Sequence, residues 1–203
     1  MRKGEITRTA ILDRAVRLAS QVGLSGLTIG RLAEDLELSK SGLFAHFQSK
    51  EALQVQVLGR ASHVFVQVVV RPALGAPRGE PRIRAIFDRW LVWTRTAELP
   101  GGCLFVTAAA ELDDRPGPAR DRLVALQKEW LELIGNVVKT GISEGELRED
   151  LDTEQFAHDL YAVMLGYHHA DRLLRDSRAE ARARSGFEAL LAAARRVPRR
   201  RSA

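Results

Sequence analysis

Between Leu27 and Leu53 the chain reads LTIGRLAEDLELSKSGLFAHFQSKEAL, and three hydroxyl residues in it, Thr28, Ser39 and Ser49, each stand directly before residues with helical apolar spacing. A side-chain oxygen at such a position accepts one of the backbone N–H groups that the first turn of a helix leaves orphaned, so each marks a helix start. After Thr28, residues Ile29, Leu32, Ala33 and Leu36 fall at i, i+3, i+4 and i+7, which is one buried helical face. Leu27 with Leu32, and Leu38 with Leu43, bracket the first two caps at the spacing of a hydrophobic staple, which sets the direction of entry into each helix. Few folds accept two short capped helices about three residues apart, and that separation is the one a helix-turn-helix requires.

The second of these helices, expected over 40–47, places Leu43 and Phe47 on its packing side and leaves Lys40, Ser41, Gly42, Phe44, Ala45 and His46 outside the core. A face this small enters a major groove closely. Lys40 and Ser41 lie at the N-terminal end, where base edges are met, and Gly42 lets backbone approach backbone. Lys50, in the first turn after Ser49, opposes the helix dipole, so a phosphate partner explains it better than helix stability does. The net charge of +5 is divided accordingly: residues 1–60 carry +3, residues 61–194 carry −3, and the last nine residues carry +5. A basic reader ahead of a mildly acidic remainder is the charge footprint of a chain that meets phosphates at one end.

In Thr28, Leu32 with Ala33, Ser39, Phe44, His46 with Phe47, and Lys50-Glu51-x-Leu53, the first 60 or so residues resemble the TetR family of bacterial transcription regulators. The resemblance implies a double-stranded DNA operator as partner, contacted by Thr28, Ser39, Lys40, Ser41, Gly42, Phe44, His46 and Lys50 together with a basic arm at Arg2 and Lys3. There are two departures from the family pattern. Phe44 stands where a Tyr hydroxyl usually reaches a phosphate, and Glu37 stands in the turn where Gly is common, so Glu37 is expected to point away from DNA.

The first helix, expected over 7–22, has Ile11, Ala15, Leu18, Ala19 and Val22 on one face and Gly23 as its stop. From Ser49 a long helix runs through Val57, Ala61, Val64 and Val68 to Pro72, where RPALGAPRGEPR breaks it. Beyond it the periodicity stays helical, with stripes of apolar residues over 83–97, 103–112, 123–138, 156–167 and 187–194. The fold class is all-α, about nine helices in all. Residues 1–58 are read as a helix-turn-helix DNA-binding domain, 59–196 as a helical effector-binding and dimerisation domain, and 197–203 as a basic tail.

Length and an apolar content of 45% suit a small head with a larger core and exclude disordered or fibrous classes. No run of 18 apolar residues and no signal-peptide architecture occurs, which points to the cytoplasm and away from a membrane. The single cysteine, Cys103, excludes an internal disulfide framework.

The resemblance further implies a homodimer, in which the last two helices, about 153–175 and 178–196, form a four-helix bundle with their copies. Phe156, Leu160, Tyr167, Phe187, Leu190 and Leu191 are the expected interface residues. Two heads on a two-fold axis read a palindrome, which one small head cannot do selectively. It also implies an effector of unknown identity, apolar or amphipathic, in a pocket walled by Phe87, Trp90, Trp93, Phe105 and Trp130 with Thr94 and Cys103 as polar handles. Effector binding would release a repressor from its operator, which requires tighter binding to the DNA-incompetent state.

Cys103 follows Gly101 and Gly102 at a helix start, where the dipole would lower its pKa, so a thiol or electrophile sensor is the alternative. A metal-dependent helical enzyme is the alternative of another class. Its candidate ligands, His158, His168 and His169, are badly spaced: His158 and His169 share a face but are about 16 Å apart along a helix, too far for one ion. No cofactor and no catalytic residue is implied by any motif.

Overall fold

The computed structural model describes residues 8–196, so the arm at Arg2 and Lys3 and the tail 197–203 lie outside the described residues. Nine helices make up the described chain: α1 (Arg8–Gly26), α2 (Ile29–Asp35), α3 (Lys40–Phe47), α4 (Lys50–Leu74), α5 (Glu80–Trp93), α6 (Leu104–Leu112), α7 (Pro118–Ser143), α8 (Thr153–Arg172) and α9 (Ala179–Ala194). Among the described residues there is no strand, only an isolated bridge between Leu147 and Arg195. The all-α expectation therefore holds.

The local signals act where they stand in the sequence. The Thr28 Oγ1 accepts from Arg31 N at 3.1 Å, Ser39 Oγ from Gly42 N at 3.2 Å and Ser49 Oγ from Ala52 N at 3.0 Å. Gly23 breaks α1 with φ 75°, a conformation that costs a side-chain-bearing residue, and a last turn continues to Gly26. In α4 the break comes later than Pro72. Val66–Val70 form a π turn just ahead of the proline, and the helix continues to Leu74. Pro72 lacks an N–H and its ring crowds the carbonyl four residues back, so widening the helix there lets the chain pass the proline. By length and hydropathy α4 matches a membrane span, but Leu53, Val57, Leu58, Ala61 and Phe65 are buried inside the chain, and core packing accounts for its composition.

Packing divides the described chain into two compact units, 8–67 with 93–127 and 68–92 with 128–196. In the first, α1 packs on α4 and α6 around Ile11, Ala15, Leu24, Leu53 and Leu104, all nearly inaccessible. The second is built around Ile83, Phe87, Leu160, Met164 and Leu191. α8 ends at Arg172, short of the expected 153–175, with Arg175 beyond it at φ 53°, and α9 spans Ala179–Ala194 within the expected 178–196.

Candidate nucleic-acid interface

α2 and α3 are joined by a turn with a specific hydrogen-bond signature. Leu38 N donates to Ala33 O at 2.9 Å and Glu37 N to Glu34 O at 3.2 Å, the pair of bonds of a Schellman close, with Glu37 itself at φ 54°. This explains the glycine preference seen at that position in the resemblance: the turn needs a left-handed residue. Glu37 meets that need at a backbone cost of about 1 kcal/mol. Its side chain is exposed and, among the described residues, makes no ion pair.

α3 buries Leu43 and Phe47, each 1% accessible, and leaves Lys40, Ser41, Gly42, Phe44, Ala45 and His46 exposed. Phe44 is 56% exposed, so its ring is open to a partner. Lys40, Ser41 and Phe44 share a groove of about 450 Å³ with Ile29 and Gly30 at the start of α2. Ile29 and Gly30 were not anticipated as part of this surface. Gly30 matters because a Cβ there would meet Lys40 Cε at 3.2 Å. No carboxylate pairs with Lys40, so among the described residues its charge is uncompensated. Arg8 stacks over the buried ring of Phe47, 5.6 Å to its centroid, and bonds Gln56, which ties α1 behind the reader. Thr28 and Ser39 spend their hydroxyls on caps.

Lys50 has a partner inside the chain that sequence spacing could not reveal. Its Nζ donates to Ser25 O at 2.5 Å, so the cation sits against the carbonyl end of α1. Around it α1 is clamped to the segment 97–115. Glu111 accepts from Leu24 N at 3.2 Å and Ser25 N at 2.6 Å, Arg17 donates to Ala97 O, and Gly101 N donates to Ser20 Oγ. Two glycines make this clamp possible: a Cβ at Gly23 would strike the Glu111 carboxylate, and one at Gly101 the Ser20 carbonyl. Sequence spacing could not single out Glu111, because its partners lie 86 and 87 residues away.

The residues expected to wall an effector pocket fall into two groups. Within the first unit Phe65, Trp93 and Phe105 form an aromatic cluster, with ring centroids 5.3, 5.8 and 6.4 Å apart, beside the buried Thr94 and Cys103. Phe65 was not anticipated. Within the second unit Phe87 stacks on Phe187 at 4.2 Å, Trp90 meets Tyr167 edge-on at 6.1 Å, and Trp130 is buried. Cys103 corrects an expectation. It does stand at the start of α6, but it is 2% accessible, and burial pushes its thiol pKa up, against a weaker opposing effect of the Val106 amide. Desolvation outweighs the helix dipole, so the thiol is protonated and shielded.

The expected interface residues also need correction. Phe156, Leu160, Tyr167, Phe187 and Leu191 pack within the chain at 0–3% accessibility, and Leu190 is half-buried. The five buried ones are core residues whose side chains lie between α8, α9 and their neighbours, whereas Leu190 keeps part of its surface. His168 is buried with its pKa lowered by desolvation, while His158 and His169 are exposed. No group of three metal-capable side chains occurs among the described residues.

Comparison with known proteins gives the same picture. Residues 11–57 match the model of bacterial regulatory proteins of the tetR family, and residues 79–187 match the tetracyclin repressor-like C-terminal domain. The transcriptional repressor DhaR of Mycobacterium sp. (strain GP1) is 24% identical over 79% of this chain and 82% of its own. A TetR transcriptional regulator from Chloroflexus aurantiacus superposes with a TM-score of 0.82 and 29% identity over 95% of this chain and 96% of its own. The regulator AibR, solved with isovaleryl coenzyme A and operator DNA, shares the fold at a TM-score of 0.70 and 22% identity over 90% and 96% of the two chains.

Proposed function

The chain belongs to the TetR family of bacterial regulatory proteins, and from that premise we propose that it is a homodimeric transcriptional repressor, released from a palindromic operator by a small apolar or amphipathic effector. The observation that carries this reading is α3: a capped helix whose packing side is buried and whose other side presents an uncompensated Lys40, a small Ser41 and an exposed Phe44. Among the described residues no carboxylate pairs with Lys40, and Phe44 stays exposed. Two such faces on a two-fold axis suit two half-sites one or more helical turns apart. DhaR supports the sign of regulation, and AibR the coupling of a ligand to operator DNA. The reader is assigned to 1–58 and effector binding and dimerisation to 59–196, with the protein acting in the cytoplasm.

The corrected dimer face follows from what α8 and α9 leave uncovered. Ala162, Leu165, Gly166 and His169 on α8, and Gly186, Ala189 and Ala193 on α9, are exposed at helical spacing, and α9 comes close enough that Val163 lies 3.6 Å from a Cβ placed at Gly186. Small residues at this spacing let a second helix pair approach. For the effector, the cluster of Phe65, Trp93 and half-buried Phe105 next to Thr94 supplies an apolar wall with a polar handle. A shielded Cys103 makes the thiol-sensing alternative the weaker one.

Selection of duplexes from a random library by the full-length protein, with candidate effectors added to the bound pool, tests the reading. The expected result is a palindromic consensus released by an effector. Enrichment of no sequence would overturn DNA reading, and Leu165→Glu remaining dimeric by light scattering would overturn the dimer face.

A further inference from the structure

A second basic surface lies outside α3. Ser25, Lys50, Glu51, Gln54, Arg115 and Arg120 line a cleft of about 240 Å³ bounded by the ends of α1 and α6 and the start of α7. Two cations converge on one residue there: Lys50 Nζ donates to Ser25 O at 2.5 Å and Arg115 Nη1 to Ser25 Oγ at 3.1 Å. Arg120 Nε donates to Asp113 O at 3.0 Å. Three cations therefore face one carboxylate, Glu51, whose Oε1 lies close to Gly117, and among the described residues no carboxylate is ion-paired with any of the three.

Donor accounting shows what the cleft lacks. An ammonium has three N–H donors and a guanidinium five. Each of these side chains spends one on a neutral oxygen. Elsewhere in the chain arginines are neutralised: Arg14 by Asp35, Arg60 by Asp13, Arg84 by Glu188 and Arg184 by Asp88. Three cations facing a single carboxylate leave an excess of like charge, and an anion with several oxygens would relieve that repulsion while using the spare donors.

We propose that this cleft seats one backbone phosphate of the operator, shared between Lys50 of the reader and Arg115 of the segment following α6. The inference rests on the DNA-binding reading above and deepens it, since it adds a contact from outside the helix-turn-helix. It has a mechanical consequence. Arg115 is three residues from Leu112 at the end of α6 and four from Glu111, which holds the amides of Leu24 and Ser25. Operator binding at Arg115 and any displacement of α6 therefore act on the same residue, Ser25, so a shift of α6 would withdraw a phosphate contact as well as reorient the head.

The test measures operator affinity of the full-length protein against salt, with a duplex taken from the library selection. Each phosphate contact contributes a slope of about 0.9 in log K against log salt. Arg115→Ala is expected to flatten the slope by about that amount per subunit, Arg115→Lys to restore most of it, and Lys139→Ala, an exposed cation in the second unit, to change nothing. Neutralising single phosphates as methylphosphonates locates the contact: the position of the shared phosphate should weaken Arg115→Ala by less than it weakens the native protein, because only Lys50 still meets it. An unchanged unfolding midpoint of Arg115→Ala shows that the effect is not misfolding. If Lys50→Ala flattens the slope and Arg115→Ala does not, the shared phosphate is overturned and the DNA reading stands. If no duplex is selected, the reading itself fails. If inorganic phosphate stabilises the protein in an Arg115-dependent manner while the salt slope ignores Arg115, the cleft takes free phosphate and the operator assignment is overturned.

Discussion

Basic side chains are plentiful both on the reader and along the contact of α5 with α9, yet the two regions use them in opposite ways. On the reader, Lys40 stands uncompensated over a groove shared with Ser41 and Phe44. Between α5 and α9 the cations Arg84, Arg184 and Arg195 are all ion-paired. Arg195 and Arg84 bind Glu80, Arg84 also binds Glu188, and Arg184 binds Asp88 and Glu180. The guanidiniums of Arg84 and Arg184 also cover the stacked rings of Phe187 and Phe87, at 5.8 and 5.9 Å. Charge left unpaired is available to a partner, whereas charge paired across two helices holds those helices together. A count of basic residues makes no such distinction.

The strongest way to break this comparison is Phe87→Ala. It removes a fully buried ring from between α5 and α9 and strands the arginine that lies over it, so urea unfolding should show a loss of about 3–5 kcal/mol. A loss under about 1 kcal/mol would mean that the region is not the packed contact described. Next in size, Lys40→Ala should leave the unfolding midpoint alone but alter the selected half-site, costing about 1–3 kcal/mol at one base position. Destabilisation without a change in preference would place Lys40 in the structural class after all.

Glu80 gives a smaller, pH-dependent effect. Hydrogen bonding from Arg195, with Arg84, holds its carboxyl down at about 2 from an ordinary 4.5. The folded-state value is depressed, so the stabilisation is fully present above about pH 4.5 and is lost as pH falls towards 2. Allowing for solvent screening it amounts to about 1 kcal/mol, and Glu80→Gln should remove it, flattening stability against pH across that window. The smallest change expected is a gain. Glu37→Gly relieves a left-handed non-glycine residue and should raise stability by about 0.5–1 kcal/mol with operator choice unchanged. A loss of stability would show that the Glu37 side chain has a structural role.

The reader was legible because its determinants are local. Thr28, Ser39 and Ser49 each bond an amide three residues ahead, and Leu43 and Phe47 are four residues apart on one helix. A cap or a stripe of this kind is visible in a window of ten residues. The regions proposed for the effector and the dimer were less so. Phe187 and Leu191 carry the same periodicity whether they face a neighbouring helix of their own chain or a second subunit, and only packing shows that they face inward. Cys103 stands at the start of α6 as expected, but whether its thiol is a sensor or plain core was open in the sequence, because the dipole is a local property and burial is not.

Helix number, the turn between α2 and α3, the exposed side of α3 and the kind of polymer it suits all follow from residues within a few positions of one another, where hydrogen-bond and steric rules act without long-range help. The Ser25 junction, the choice of which arginines are neutralised and the face of α8 and α9 left open depend on residues up to 115 positions apart. Such contacts form only when burial of the apolar stripes has brought distant helices together, and many sequences with the same stripes would have paired their charges differently.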